Sequence, residues 1–282
     1  HSAIGRETNH WFSHLCVVNS RAVKSITSVD NPCFRALLQL AQSSRERRRA
    51  GLSLLDGIHL VAAYVDHVGL PEEIILSRGG MERPEVIKLL ERLDTVRMVI
   101  YTDALFRQLS SVATPTGIIA VVPTPRVAVP STLTGPGVWL EDIQDPGNVG
   151  SILRSAAAAG VTNVCLSRHS VHAWSPRVLR AGMGAHFALN IIEGADLQAL
   201  ATNYAGRIIA THVSHGKSVF DAKLTGDVAL LFGNEGAGLS PALAAMTHET
   251  VQIPMPGQSE SLNVAAAAAV CLFERVRQSR TQ

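Results

Sequence analysis

Three short stretches carry most of the unusual chemistry of this chain. The first, Asp145-Pro-Gly-Asn148, leads into an alanine-rich run that holds a single arginine, Arg154. The second, Gly233-Asn-Glu-Gly236, directly follows the apolar run from Val228 to Phe232, and the third runs from Ile253 through Met255 to Ser261-Leu-Asn263. Glycines after an apolar run let a backbone approach a ligand closely, while amide, hydroxyl, carboxylate and guanidinium groups can orient a polar substrate and steady developing negative charge. A dinucleotide is the obvious ligand for such loops, and the spacing argues against it. Neither Gly147-Asn-Val-Gly150 nor Gly233-Asn-Glu-Gly236-Ala-Gly238 has the G-x-G-x-x-G order that brings backbone to a pyrophosphate, and the second places an acid in its middle. No G-x-x-x-x-G-K-[ST] phosphate loop occurs either.

The elements that must position these stretches follow from hydrophobic periodicity. Strands are predicted near 138–143, 163–167, 189–192, 207–212, 228–232 and 250–255, with helices near 149–159, 176–184, 196–204, 241–246 and 262–278. Strands separated by helix-length segments imply a parallel sheet covered on both faces, with the three stretches at strand ends. From 31 to 122 a second alternation is predicted: a basic helix over 34–50, then strands at 52–55, 73–77, 97–101 and 117–122 separated by helices at 58–67, 84–93 and 104–109. Between the two, 123–137 carries four prolines and few charges, so it reads as a stiff linker. The expected organisation is therefore a smaller α/β domain over 24–122, the linker, and a larger α/β domain over 138–282.

Composition bounds the rest. With 282 residues, 46% hydrophobic and 17% charged, the chain is globular and long enough for two domains; its net charge of +2 permits a polyanionic partner without demanding one. Cys16, Cys33, Cys165 and Cys271 stand far apart with no C-x-x-C pair, so free thiols, a reducing cytoplasm and no zinc ribbon are expected. The eleven histidines include no H-E-x-x-H, so no metal is expected, and no run approaches 18 apolar residues, so no membrane span is expected. Residues 1–23 begin without Met and show only one short apolar patch, and are read as a disordered extension or tag remnant. Arg35, Arg45, Arg47, Arg48 and Arg49 crowd the predicted basic helix against Glu46 alone, a local excess suited to RNA phosphate.

In their order, the three stretches resemble the motifs of the SpoU (TrmH-like) branch of the SPOUT RNA methyltransferases, from about residue 138 to 277. Arg47-Arg-Arg-Ala-Gly51 through Asp56-Gly57, together with Thr114-Pro-Thr-Gly117-Ile-Ile-Ala-Val-Val122, is similar to the ribosomal-protein-like substrate-binding domain that precedes many such catalytic domains. One departure is Asp56, where that domain usually has Glu. The resemblance implies an α/β fold whose C-terminal parallel sheet closes in a deep trefoil knot, preceded by a smaller α/β RNA-binding domain. It implies S-adenosylmethionine-dependent 2′-O-methylation of ribose in rRNA or tRNA by a homodimer joined through the catalytic domain. Gly233, Ile253 and Leu262 fall at the family's cofactor positions, with Thr211, Asn234, Gly236 and Met255 beside them.

Asn148, Arg154, Glu235, Ser261 and Asn263 match the polar positions of the family's motifs. An arginine holds its proton to a pKa above ~12, so Arg154 is assigned to the neighbouring phosphate and the developing alkoxide, with Asn148 and Ser261 orienting the ribose. Arg154 lies among Ile152, Leu153 and the alanines from 156 to 159, which predicts a charge beside packed surface and hence a partner. For Glu235, a role in the site and a purely local hold on its own loop are equally open. Two rivals remain: a nucleotide-cofactor oxidoreductase, disfavoured by the missing fingerprint, and a non-catalytic RNA-binding or ribosome-assembly factor on the same fold.

Overall fold

The computed structural model describes residues 24–129 and 132–280, so the expected disorder of residues 1–23 lies outside the described residues. The chain divides into two compact units, His1–Pro125 and Arg126–Gln282.

The first unit is built on β1 (Lys24–Ile26), β2 (Leu52–Asp56), β3 (Glu73–Ser77), β4 (Arg97–Tyr101) and β5 (Ile118–Pro123). Their order in the sheet is β1-β4-β3-β5-β2, with β5 antiparallel to β2 and β3 and the remaining pairs parallel. Around it stand α1 (Pro32–Gln42), α2 (Ser44–Ala50), α3 (Ile58–His67), α4 (Pro84–Leu90) and α5 (Asp103–Leu109). The continuous apolar run of β5 fits a central strand buried on both faces, and Phe34, Leu37, Tyr101 and Phe106 fill the core on one side. Where one basic helix over 34–50 is predicted, the structure has two. Ser43 takes an extended conformation, φ −119° and ψ 117°, and its hydroxyl accepts the Glu46 amide at 3.3 Å, ending α1 and capping α2. The short edge strand β1 was not expected.

The second unit contains β6 (Gly137–Leu140), α6 (Pro146–Ala158), β7 (Asn163–Ser167), α7 (Pro176–Gly182), β8 (Asn190–Ala195), α8 (Leu197–Asn203), β9 (Arg207–Thr211), β10 (Lys217–Ser218), β11 (Val228–Phe232), α9 (Pro241–Ala244), β12 (Glu249–Gln252) and α10 (Val264–Arg280). Its seven strands run in the order β10-β12-β9-β11-β6-β7-β8. Every pairing in that sheet is parallel. All five residues of β11 are buried, as a strand covered on both faces requires. In a parallel sheet every strand ends at the same edge, so the loops after β6, β9, β11 and β12 gather there.

Residues 145–148 are not a free turn before the helix. Asp145 is its N-cap, accepting the Asn148 amide at 2.8 Å, and Pro146 takes the first turn, where its missing N–H costs nothing. Gly150 lets α6 lie against α7: a Cβ there would stand 2.4 Å from the Ala181 Cβ and 2.7 Å from the Val178 carbonyl oxygen. Cys165 and Cys271 are free and buried, whereas Cys33 is disulfide-bonded, so the expectation of free thiols fails at that position. No helix among the described residues is long and apolar enough to cross a membrane.

Candidate active site

The loop after β11 is a closed hairpin. A Cβ on Gly233 would sit 2.4 Å from the Gly238 carbonyl carbon, so only glycine lets the two limbs meet. Asn234 and Gly238 exchange backbone hydrogen bonds of 3.0 and 2.9 Å. The Asn234 side chain finishes the turn: Oδ1 accepts the Gly236 and Ala237 amides, each at 2.9 Å, and Nδ2 donates to the Asp142 carbonyl at 2.8 Å. Asp142, in the loop after β6, is itself in the left-handed region at φ 56° and accepts the Ser167 hydroxyl through Oδ1 at 2.5 Å. Asn234 thus moors one loop to the next and leaves Glu235 exposed at the hairpin tip.

The start of α10 fixes a second group. Asn263 Oδ1 accepts the Ala265 and Ala266 amides at 2.9 and 3.3 Å, the hydrogen bonds of a helix cap. Its Nδ2 is therefore the end free to donate elsewhere, and it donates to Asn148 Oδ1 at 2.9 Å. That in turn leaves Asn148 Nδ2 to donate to Glu235 Oε1, again at 2.9 Å. One chain of hydrogen bonds, Asn263 to Asn148 to Glu235, joins the three stretches, with each amide oriented by the one before it. Glu235 holds Asn148, in the first turn of α6, and not its own loop's backbone.

Beside this chain opens a cavity of about 840 Å³. All seven residues expected near a cofactor line it: Thr211, Gly233, Asn234, Gly236, Ile253, Met255 and Leu262. Glu235, Ser261 and Asn263 line it as well. No lining side chain is an arginine or lysine, so the cavity lacks the cations that a pyrophosphate would call for. Cys271 lies in its wall, with burial pushing the thiol up to about 12, which makes it an inert surface. Sequence reasoning missed His212, His215 and Glu260, which also line the cavity. Their signal was position alone, since His212 directly follows Thr211 at the end of β9 and His215 comes three residues later in the same loop. Among the described residues, no group of three or more His, Cys, Asp or Glu is arranged to hold a metal.

Two expected residues stand apart from the cavity wall. Asn148 reaches the site through its hydrogen bonds, and Arg154 does not line it. Arg154 is exposed on α6, while Val149, Ile152, Leu153 and Ala156 of the same helix are buried. The apolar neighbours thus face the core and the guanidinium faces solvent, so the expected contact of a charge with packed surface is absent.

The arginine run of the first unit is divided further. Arg47 is 4% exposed, and its guanidinium donates to the Leu40 and Ala41 carbonyls, at 2.6 and 3.1 Å, near the end of α1. Those carbonyls have lost their helical partners at the Ser43 break, and Arg47 replaces them. It is a buried cap, which corrects its assignment to an RNA-facing surface. Arg49 pairs with Glu46 at 2.5 Å and Arg35 with Asp30 at 2.5 Å; Arg45 and Arg48 are exposed.

Residues 136–273 match the SpoU rRNA methylase family. The chain is 32% identical over 263 residues to an uncharacterized tRNA/rRNA methyltransferase, slr1673, of Synechocystis sp., a match covering 91% of this chain and 94% of that protein. It is also 32% identical over 271 residues to the 23S rRNA (uridine(2479)-2'-O)-methyltransferase of Streptomyces viridochromogenes, covering 91% and 93% of the two chains. Its fold is similar to the crystal structure of the SpoU methyltransferase AviRb from Streptomyces viridochromogenes in complex with AdoMet, with a TM-score of 0.76 and 28% identity over 89% of this chain and all (100%) of that one. With strand-end loops, hairpin and cavity arranged as they are, the chain belongs to the SpoU rRNA methylase family.

Proposed function

We propose that this chain transfers a methyl group from S-adenosylmethionine to a ribose 2′-hydroxyl in RNA, of the rRNA or tRNA class. The observation that carries the reading is the hydrogen-bonded chain from Asn263 through Asn148 to Glu235, which gathers polar groups from the three stretches beside a cavity without arginine or lysine. The 2′-O-methyltransferase name of the Streptomyces relative supports it.

The cavity suits the cofactor. Its volume of about 840 Å³ lies within the ~300–1,000 Å³ of small-molecule sites. The hairpin backbone around Gly233 with the apolar side chains of Ile253, Met255 and Leu262 offers walls for a nucleoside that bears no phosphate. When bound, S-adenosylmethionine supplies an activated sulfonium methyl. Gly233, Ile253 and Leu262 would hold it, flanked by Thr211 and Gly236; Asn234 has committed Oδ1 to its own loop and serves to shape it.

What remains for the protein is to place the ribose and offset charge. Asn148, held from both sides, and the exposed Ser261 orient the ribose. Arg154 binds an adjacent phosphate and stabilises negative charge on the 2′-oxygen, since a guanidinium does not give up its proton to act as a base. Arg45, Arg48 and Arg49 make the first unit's contact with RNA. The trefoil knot belongs to this reading and is supported by the strand order, in which β9 lies between β11 and β12 so that the chain crosses β9 after β11. The homodimer is supported by the exposed apolar side chains of Phe273 on α10 and Met183 at the end of α7. A cytoplasmic location is part of the reading, supported by the free thiols Cys165 and Cys271 and opposed by the disulfide at Cys33.

Incubation with total RNA and methyl-labelled S-adenosylmethionine tests the proposal. Label is expected at ribose 2′-oxygens; RNA binding without transfer of label would establish the non-catalytic factor instead.

A further inference from the structure

The loop after β9 carries two imidazoles into the same cavity. His212 is fixed through its backbone, whose amide donates to the Val251 carbonyl at 2.8 Å, and through Nδ1, which accepts the Ser214 amide at 3.2 Å. The ring centroids of His212 and His215 are 3.5 Å apart, with the planes inclined at 38°. Both residues line the cavity, and the acids that line it with them are Glu235 on the hairpin and Glu260 before α10. Of the charged groups on the neighbouring strands, Lys217 of β10 and Arg207 of β9 lie 3.7 Å from Glu249 of β12, and none of the three lines the cavity. The charge facing a ligand is therefore set by two carboxylates and by whatever protons the two imidazoles carry.

S-adenosylmethionine and its product, S-adenosylhomocysteine, differ by one methyl group and one positive charge. A cavity with two carboxylates and neutral imidazoles favours the cation, and each proton added to the imidazoles offsets that preference. We infer that the His212–His215 pair sets how strongly the site prefers the sulfonium cofactor over its thioether product; the inference rests on the cofactor reading above. Desolvation, and then the His215 ring beside it, hold His212 below the usual histidine range. The preference for the cofactor rises with pH as His212 sheds its proton, a step that lies below the usual histidine range. A unit charge added to one wall of such a cavity changes the affinity of a cation ~3- to 10-fold.

The test is calorimetric titration of the full chain with each ligand at pH ~5 and ~7.5, a span that reaches below the usual histidine range to where His212 changes charge. The ratio of the two dissociation constants isolates the sulfonium charge, since the ligands are otherwise alike. It should rise ~3- to 10-fold in favour of S-adenosylmethionine at the higher pH, and by less than ~2-fold in the double variant His212→Asn, His215→Asn. Asparagine at 212 keeps an acceptor for the Ser214 amide. If the double variant loses its fold by circular dichroism, His212→Asn alone carries the comparison, with a reduced pH dependence expected. A flat ratio in the parent protein, or an unchanged pH dependence in the folded variant, overturns the inference while binding of S-adenosylmethionine at pH ~7.5 leaves the cofactor reading standing. Absence of binding at both pH values overturns both.

Discussion

Two sets of arginines, one in each unit, have opposite fates. In the first unit, Arg47 sits in the densest basic run of the chain and yet is 4% exposed, capping the Leu40 and Ala41 carbonyls. In the second unit, Arg154 is the lone charge of an alanine-rich helix, is exposed, and among the described residues makes no hydrogen bond or ion pair. Local charge density therefore does not tell which arginine is exposed. What decides is whether an unsatisfied backbone group lies within reach: the break at Ser43 supplies two carbonyls to Arg47, while the long regular α6 supplies none to Arg154.

The largest expected effect tests the exposed arginine. Arg154→Ala should lower single-turnover methyl transfer ~10²–10³-fold, the loss typical of one oxyanion-stabilising donor, while the melting temperature and S-adenosylmethionine affinity stay close to those of the parent. Leu262→Asp should do the reverse, weakening cofactor binding at the cavity wall. Unfolding of Arg154→Ala would erase the contrast with Arg47.

The next effect sharpens the comparison from the second unit's interior. His186 is buried beside Trp174, its Nε2 2.8 Å from the Ala173 carbonyl, and burial lowers its pKa from 6.5 to about 4 despite that hydrogen bond. The unfolded chain then takes up this proton first, so the stabilisation is complete above pH 6.5 and is lost as pH falls toward 4. Two and a half pKa units correspond to roughly 3 kcal/mol. Denaturant melts across that pH window should show the decline, and His186→Gln should flatten it.

The smallest effect concerns the buried cap. Arg47→Ala should destabilise the first unit by about 2 kcal/mol, because buried carbonyls lose their donor, whereas Arg48→Ala on the exposed side should change stability by less than ~0.5 kcal/mol. Equal losses in thermal melts would show that Arg47 is no cap.

Much of the site was legible because its residues lie at strand ends, where hydrophobic periodicity stops and Gly, Asn and Ser take over. Gly233, Ile253 and Leu262 could be placed that way and through the family resemblance, and all three line one cavity. The break at Ser43 was also legible and was missed: Ser43 with Glu46 three residues on has the spacing of a capping box. The burial of Arg47 could not be read, because it depends on how α1 and α2 meet and not on any local pattern. The same holds for the sheet order, for the two-residue strand β10, too short for any period, and for His212 and His215, whose contact across a loop leaves no mark on spacing. The Asp145 cap shows a subtler limit, since Asp-Pro-Gly-Asn serves a turn or a helix start equally well until the Asn148 amide is seen bonded to Asp145.

Asn148, oriented by Asn263 and Glu235, is expected to serve the chemistry and not the cofactor's seat. Single-turnover methyl transfer by Asn148→Ala, measured at saturating RNA beside calorimetric S-adenosylmethionine affinity, tests it most directly. The rate should fall ~10²-fold with cofactor affinity changed less than ~3-fold, because Asn263 keeps its cap on α10 and the cavity wall is untouched. A rate near that of the parent, or a loss of affinity that accounts for the whole loss of rate, would contradict it.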